Sequence, residues 1–206
     1  MAGLRIVGLR SRLAGPFDLA VERGVVAITG ASGSGKSLFL RMIADLDPNE
    51  GEVWLGDAAR AAMPAPAWRR RVVYNAAETG WWGDSVAEHF PPATTAAVRA
   101  LAERLALPAP VLTGAVTRLS SGEKLRLSLI RALLLDPAVL LLDEPTGAVD
   151  QATTLVVETV LRERVAAGTI LLLATHDPGQ PTRLDARELR MEAGRLRAVS
   201  AAPAPG

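Results

Sequence analysis

The chain has 206 residues, 49% of them hydrophobic, with a formal net charge of +1 and a pI near 8.3. That length supports one sizeable core, and the near-balanced charge offers no basic field for nucleic acid and no acidic, solvating tail. Cysteine is absent and His89 and His176 are the only histidines, which excludes disulfides, cysteine-ligated zinc, iron–sulfur clusters and a multi-histidine metal site.

Leu4 to Leu9 and Phe17 to Val21 read as strands near a sheet edge. Val25 to Thr29 is a compact β-branched run that stops at Gly30, as a buried strand does. Lys36 to Asp45 carries Leu38, Phe39, Met42 and Ile43 at helical spacing, giving strand, glycine-rich turn, helix. Glu52 to Leu55 and Arg71 to Tyr74 read as further strands, with Met63 to Pro66 a proline-rich loop between them. Thr94 to Leu107 and Ser121 to Leu135 read as helices, each followed by a proline-bearing break. Val139 to Asp143 and Thr169 to Thr175 are continuous apolar runs of the kind buried on both faces of a parallel sheet. A helix from about Gln151 to Val165 joins them into a βαβ unit.

Residues 1–199 are therefore expected to form one α/β domain, with a disordered Ala/Pro/Gly tail from Ser200 to Gly206. The N-terminus lacks a signal-peptide apolar run. The most apolar stretches, such as Ile170 to Ala174, are far shorter than a membrane span, so any membrane role is expected to come through a partner.

Gly30-Ala31-Ser32-Gly33-Ser34-Gly35-Lys36-Ser37, with Leu38 following, matches the phosphate-binding loop pattern. The glycines let successive backbone N–H groups curl around phosphate oxygens, Lys36 reaches the β- and γ-phosphates, and the Ser37 hydroxyl binds Mg²⁺. The helix behind the loop turns its positive end toward the anion. Lys36 and Lys124 are the only lysines among many arginines, so a chance match is improbable; the bland alternative is a Gly/Ser hairpin loop.

Val139 to Asp143 is an apolar strand that ends in two carboxylates, Asp143 and Glu144. Asp143 can hold Mg²⁺, and Glu144 can polarise an attacking water as general base. Strand-end acids lie where open α/β sheets bind ligands; alone, the pair would serve equally as a helix N-cap.

Leu119-Ser120-Ser121-Gly122-Glu123 stands just before a helix and has the form of a capping box. Its position upstream of the acidic strand gives it a second reading. Here the sequence resembles the ATP-binding cassette family, whose signature reads Leu-Ser-Gly-Gly-Gln; Ser121 and Glu123 depart from it. Pro145, the Gly147-Ala148-Val149-Asp150 segment at the D-loop position and His176 at the switch-histidine position extend the resemblance, which runs from about Leu4 to Val199.

The resemblance implies a P-loop NTPase with a RecA-like parallel sheet core, an N-terminal antiparallel β edge and a helical lobe at about residues 78–135. It implies hydrolysis of ATP with Mg²⁺. Lys36, Glu144 and His176 would be catalytic; residues 30–38 with Ser120, Ser121, Gly122 and Asp150 would bind nucleotide; Ser37 and Asp143 would hold the metal. The signature residues would act on the nucleotide of a facing subunit, so a homodimer or heterodimer of ATPase subunits would sandwich ATP. The other implied partner is a membrane-embedded permease, which would hold the chain at the cytoplasmic face of the membrane. The competing readings are a soluble cassette ATPase in assembly or regulation and an unrelated P-loop kinase or GTPase. Within the family, the short build is most like stand-alone bacterial subunits, including the iron-export type.

Two family features are missing. The glutamine expected after Arg71 to Tyr74 is replaced by Ala77, and Glu78 beside it is the candidate metal-facing oxygen, or else a solvent-facing loop acid. The aromatic that stacks on adenine is absent; Ser11, Arg12 and Leu13 occupy the region, with the Arg12 guanidinium the candidate base contact. Trp81-Trp82 either anchor a partner or pack in the helical lobe.

Overall fold

The computed structural model describes residues 3–199; the tail from Ser200 to Gly206 lies outside them. Ten strands form two sheets. The first is antiparallel, with β1 (Leu4–Arg10) between β2 (Phe17–Val21) and β4 (Glu50–Leu55), and β5 (Ala58–Ala59) at its edge. The second has the order β10-β9-β3-β8-β7-β6, built from β3 (Val25–Thr29), β6 (Val72–Asn75), β7 (Val139–Asp143), β8 (Ile170–Ala174), β9 (Arg187–Glu192) and β10 (Arg195–Ala198). All its pairings are parallel except β9 with β10.

The apolar runs of β3, β7 and β8 are buried along their whole length because both faces of this sheet are covered. Side chains alternate across a strand, and they divide accordingly. Val26, Ile28, Leu141 and Leu172 join a cluster with Phe39 and Ile43 of α1 (Lys36–Ile43) and with the antiparallel sheet. Val25, Ala27, Leu140 and Leu171 join a second cluster with Leu129 of α4 (Ser121–Leu133) and Val157 of α5 (Gln151–Ala166). Phe17 sits in the first cluster, its ring 4.7 Å from that of Phe39.

Between β6 and β7 the chain is helical: α3 (Thr95–Arg104), α4 and several single 3₁₀ turns. Two elements depart from the sequence reading. Part of the expected Met63–Pro66 loop belongs to α2 (Ala65–Arg71), because proline is tolerated in a first helical turn. Trp68 of α2 is fully buried and donates its indole N–H to the Ile43 carbonyl over 2.9 Å. The hairpin β9–β10 was not foreseen, nor was the short α6 (Gln180–Arg183).

The topology brings the chemistry together. β3, β7, β8 and β6 are mutually parallel, so their C-terminal ends share one edge. The glycine-rich loop, Glu144, His176 and Ala77 follow those ends, and Asp143 closes β7.

Candidate active site

The loop from Gly30 to Gly35 needs its glycines for shape. Gly30, Gly33 and Gly35 all have positive φ, a region side chains with a Cβ rarely adopt. A Cβ on Gly30 would lie 2.4 Å from the Met191 carbonyl oxygen, so the loop is also pressed against β9. A cavity of about 730 Å³ opens over it, lined by Ser32 to Leu38, by Asp143, Glu144 and His176, by Ala77, and by Leu13, Ala14, Ala193 and Gly194.

Lys36 is 6% exposed. Its ammonium donates to the carbonyls of Gly30 and Ala31 over 2.8 and 3.0 Å. Burial lowers its pKa, and the carboxylates of Glu144 and Asp143 counter that. His176 Nε2 lies 3.3 Å from Nζ and 3.3 Å from Oε1 of Glu144, so the ring stands between the two groups.

Glu144 has φ of 50°, strained for a residue with a Cβ. Its N–H bonds the Ala174 carbonyl at 3.0 Å, extending the β7–β8 ladder and holding the strain in place. Oε2 accepts from the His176 backbone N–H at 3.2 Å. Oε1 is buried without a hydrogen-bond partner, as is Ser34 Oγ. Burial pushes the Glu144 pKa up, offset in part by His176 and Lys36. A half-buried carboxylate with one free acceptor atom beside a phosphate loop can take a proton from a water aimed at the γ-phosphate.

Asp143 is buried at the end of β7. Its Oδ2 accepts from the Tyr74 hydroxyl over 2.9 Å, a partner 69 residues away that no local pattern signals. Burial, then Asp143 itself, raises the Tyr74 pKa, so the phenol stays protonated and donates. Among the described residues no group of three or more His, Cys, Asp and Glu side chains could hold a metal by itself. Ser37 Oγ and Asp143 together fit Mg²⁺, which binds through one or two protein oxygens and completes its shell with phosphates and water. The two partnerless oxygens at the cavity, on Ser34 and Glu144, show that the site is built for polar occupants.

The other candidates are placed apart from this cavity. Glu78 is exposed, and Ala77 is the residue of that loop that lines the cavity. Arg12 is exposed, and Leu13 and Ala14 form the wall where a base contact was expected. The register of each loop decides which residue faces in, and sequence spacing does not fix it. Ser120, Ser121 and Gly122 are not among the cavity residues either. Ser120 caps α4 in a full capping box: Glu123 N–H donates to its Oγ at 3.2 Å, and its own N–H donates to Glu123 Oε2 at 2.8 Å. Asp150 caps α5 through its side chain alone, accepting from the Thr153 N–H at 2.8 Å. The capping reading of the Leu119–Glu123 motif is thus realised in the single chain. Trp81 packs partly in the helical lobe, whereas Trp82 is 73% exposed; the Arg131 guanidinium lies 4.7 and 5.0 Å from their rings.

Comparison with known proteins agrees with this geometry. A family model described as ABC transporter matches residues 16–147. The lipoprotein-releasing system ATP-binding protein of Pseudomonas syringae pv. tomato is 34% identical over 188 residues, which span 83% of this chain and 82% of that one. The "Probable iron export ATP-binding protein" of Escherichia coli K12 is 35% identical over 168 residues, 77% of this chain and 75% of that one. In fold the chain is similar to a dimeric ATP-binding cassette in a post-hydrolysis state bound to ADP and Pi, with a TM-score of 0.78 at 19% identity, over 96% of this chain and 99% of that one.

Proposed function

The chain belongs to the ABC transporter family, and on that footing we propose how its residues share the work of an ATPase subunit that energises a membrane transporter. The observation that carries the assignment is the meeting of Lys36, Asp143, Glu144 and His176 on one cavity over the glycine-rich loop. Residues 30–38 wrap the phosphates with backbone N–H groups, and Lys36 exchanges its bonds to Gly30 and Ala31 for phosphate oxygens. Glu144 takes the proton of the attacking water at Oε1, and His176 positions that water and the γ-phosphate. Ser37 and Asp143 would hold Mg²⁺, which when bound neutralises charge on the phosphates. Lys36, the loop amides and the start of α1 stabilise the charge left on ADP.

Ser120, Ser121 and Gly122 complete the site of a second ATPase subunit in a head-to-tail dimer. Their separation from the cavity of their own chain supports this, as does the dimeric fold relative. A membrane-embedded permease is the other partner, and it holds the chain at the cytoplasmic face of the membrane. Among the described residues no helix is long and apolar enough to cross a membrane. Residues 1–199 act as one ABC ATPase domain. The iron-export relative makes a metal-exporting permease one candidate partner, and the lipoprotein-releasing relative makes a lipid-handling one another.

The test uses Glu144→Gln, which should bind ATP without hydrolysing it and hold two subunits together. Tagged and purified from detergent-solubilised membranes with ATP present, it should bring down a multi-span membrane protein at near-equal stoichiometry. A preparation that binds ATP but returns only soluble partners or a bare homodimer would replace the transporter reading with a soluble cassette ATPase.

A further inference from the structure

Tyr74 lies on β6, the strand beside β7, and its hydroxyl donates to Oδ2 of Asp143 over 2.9 Å. The half-buried ring packs against the same core cluster as α1. A carboxylate only accepts, so the single proton of the Tyr74 hydroxyl goes to Asp143. Arg41 stands one helical turn after Ser37 on α1, with its charge near the same hydroxyl. Arg41 is itself held by two hydrogen bonds to Asp47, each 2.7 Å.

Among the described residues Oδ1 of Asp143 carries no protein hydrogen bond, because Tyr74 engages Oδ2 alone. The loop that follows β6 contributes Ala77 to the cavity, a side chain with no oxygen, and keeps Glu78 outside. We propose that Tyr74 is a positioning residue for the divalent cation: it fixes the Asp143 carboxylate with Oδ1 free, in a site whose neighbouring loop supplies no side-chain oxygen. The proposal rests on the reading of Ser37 and Asp143 as the metal-holding residues. Tyr74 acts through Asp143 and does not touch nucleotide, so its loss should weaken the metal and leave the nucleotide's own contacts alone.

The experiment is a Mn²⁺ titration of the ADP-loaded full chain, followed by the fall of the free-ion electron paramagnetic resonance signal, with ADP affinity measured separately in EDTA. Tyr74→Phe keeps the ring and removes the donor. It should weaken Mn²⁺ about tenfold, toward the lower end of what a hydrogen bond to a charged group contributes, with ADP affinity in EDTA changed less than about twofold. Ala77→Gln in the Tyr74→Phe background should recover part of the loss by restoring an oxygen to the cavity wall. Mn²⁺ affinity in Tyr74→Phe equal to that of the parent would overturn the proposal. A parent chain that binds ADP but no Mn²⁺ would overturn the metal reading beneath it. Should Tyr74→Phe not fold, Tyr74→Met takes its place, since it also removes the donor to Asp143. It should weaken Mn²⁺ by a similar factor, and no change there would equally sink the idea.

Discussion

Arg183 closes on the carboxylate of Glu158 from below the site, its Nε donating to Oε2 at 2.9 Å and a terminal nitrogen to Oε1 at 2.8 Å. Glu158 is fully buried on α5. The same arginine bonds Asp177, the residue after His176, while Gln180 donates to both Glu158 and Thr146 Oγ1 at 3.1 Å. One buried acid therefore anchors the segment after His176 and the turn after Glu144.

Glu158→Ala leaves Arg183 with a partly buried, half-satisfied charge. It should cost about 3–5 kcal/mol, as breaking a buried pair does, and lower the melting temperature by roughly 10 °C. Glu158→Gln should fall between. Denaturant melts at pH 7 check the order, and equal stability of Glu158→Ala and the parent would refute it.

A pH dependence follows from Glu144. Burial raises its folded pKa, so the folded chain favours the protonated carboxyl, and that contribution is lost as pH rises through the raised value. Glu144→Gln should therefore melt higher than the parent at pH 8 without nucleotide, by about 2–3 °C, since screening at this partly exposed group limits the effect to about 1 kcal/mol. The gap should close below about pH 4, where the ordinary carboxylate is protonated in the unfolded chain too. A parent that is the more stable at pH 8 would reverse the sign.

Gly122 is the signature residue with no room. A Cβ there would lie 2.8 Å from the Ala148 carbonyl oxygen and 3.0 Å from Val149 Cγ1. Gly122→Ala must push α4 off the turn before α5, at a cost of about 1–3 kcal/mol for overpacking. Because neither Gly122 nor that turn lines the cavity over the phosphate loop, ATP binding to the single chain should change by less than about threefold. ATP-driven dimerisation and turnover should fall more than about tenfold. Sedimentation with Glu144→Gln and Gly122→Ala combined measures the dimer, and undiminished dimerisation would contradict the coupling.

Leu13, Ala14, Ala193 and Gly194 wall the part of the cavity where the base is expected, and none has a polar side chain to read a purine edge. ATP and GTP should bind within about threefold of each other, since strong discrimination comes from sites that hydrogen-bond the distinguishing group. Leu13, 84% exposed, offers little stacking area. Leu13→Trp should tighten both nucleotides by about fivefold, in the range of an aromatic stack. GTP binding weaker by more than about thirtyfold would show that backbone groups read the base.

The parts of the fold legible in the sequence are those whose pattern is local. Val139 to Asp143 and Ile170 to Ala174 are unbroken apolar runs, and the glycine-rich loop carries its geometry in its residue types. The hairpin β9–β10 was hidden because Arg187 to Glu192 buries only Leu189 and Met191 among charged neighbours. Tyr74 was hidden for another reason: its role exists only once β6 and β7 are side by side. Glu78 and Arg12 lie beside Ala77 and Leu13, the residues of their loops that line the cavity, and sequence spacing does not tell which residue of such a loop does so.

The last strands of the fold wall the first motif of the chain. Gly194 accepts from the Gly15 N–H at 2.9 Å and donates to the Ser34 carbonyl at 3.2 Å, while Thr29 bonds Glu188, 159 residues further on. During synthesis the glycine-rich loop leaves the ribosome long before its supporting strands exist. A nascent chain stalled before β9 should hold its phosphate loop unbraced, so nucleotide capture waits for β9 and β10 to emerge.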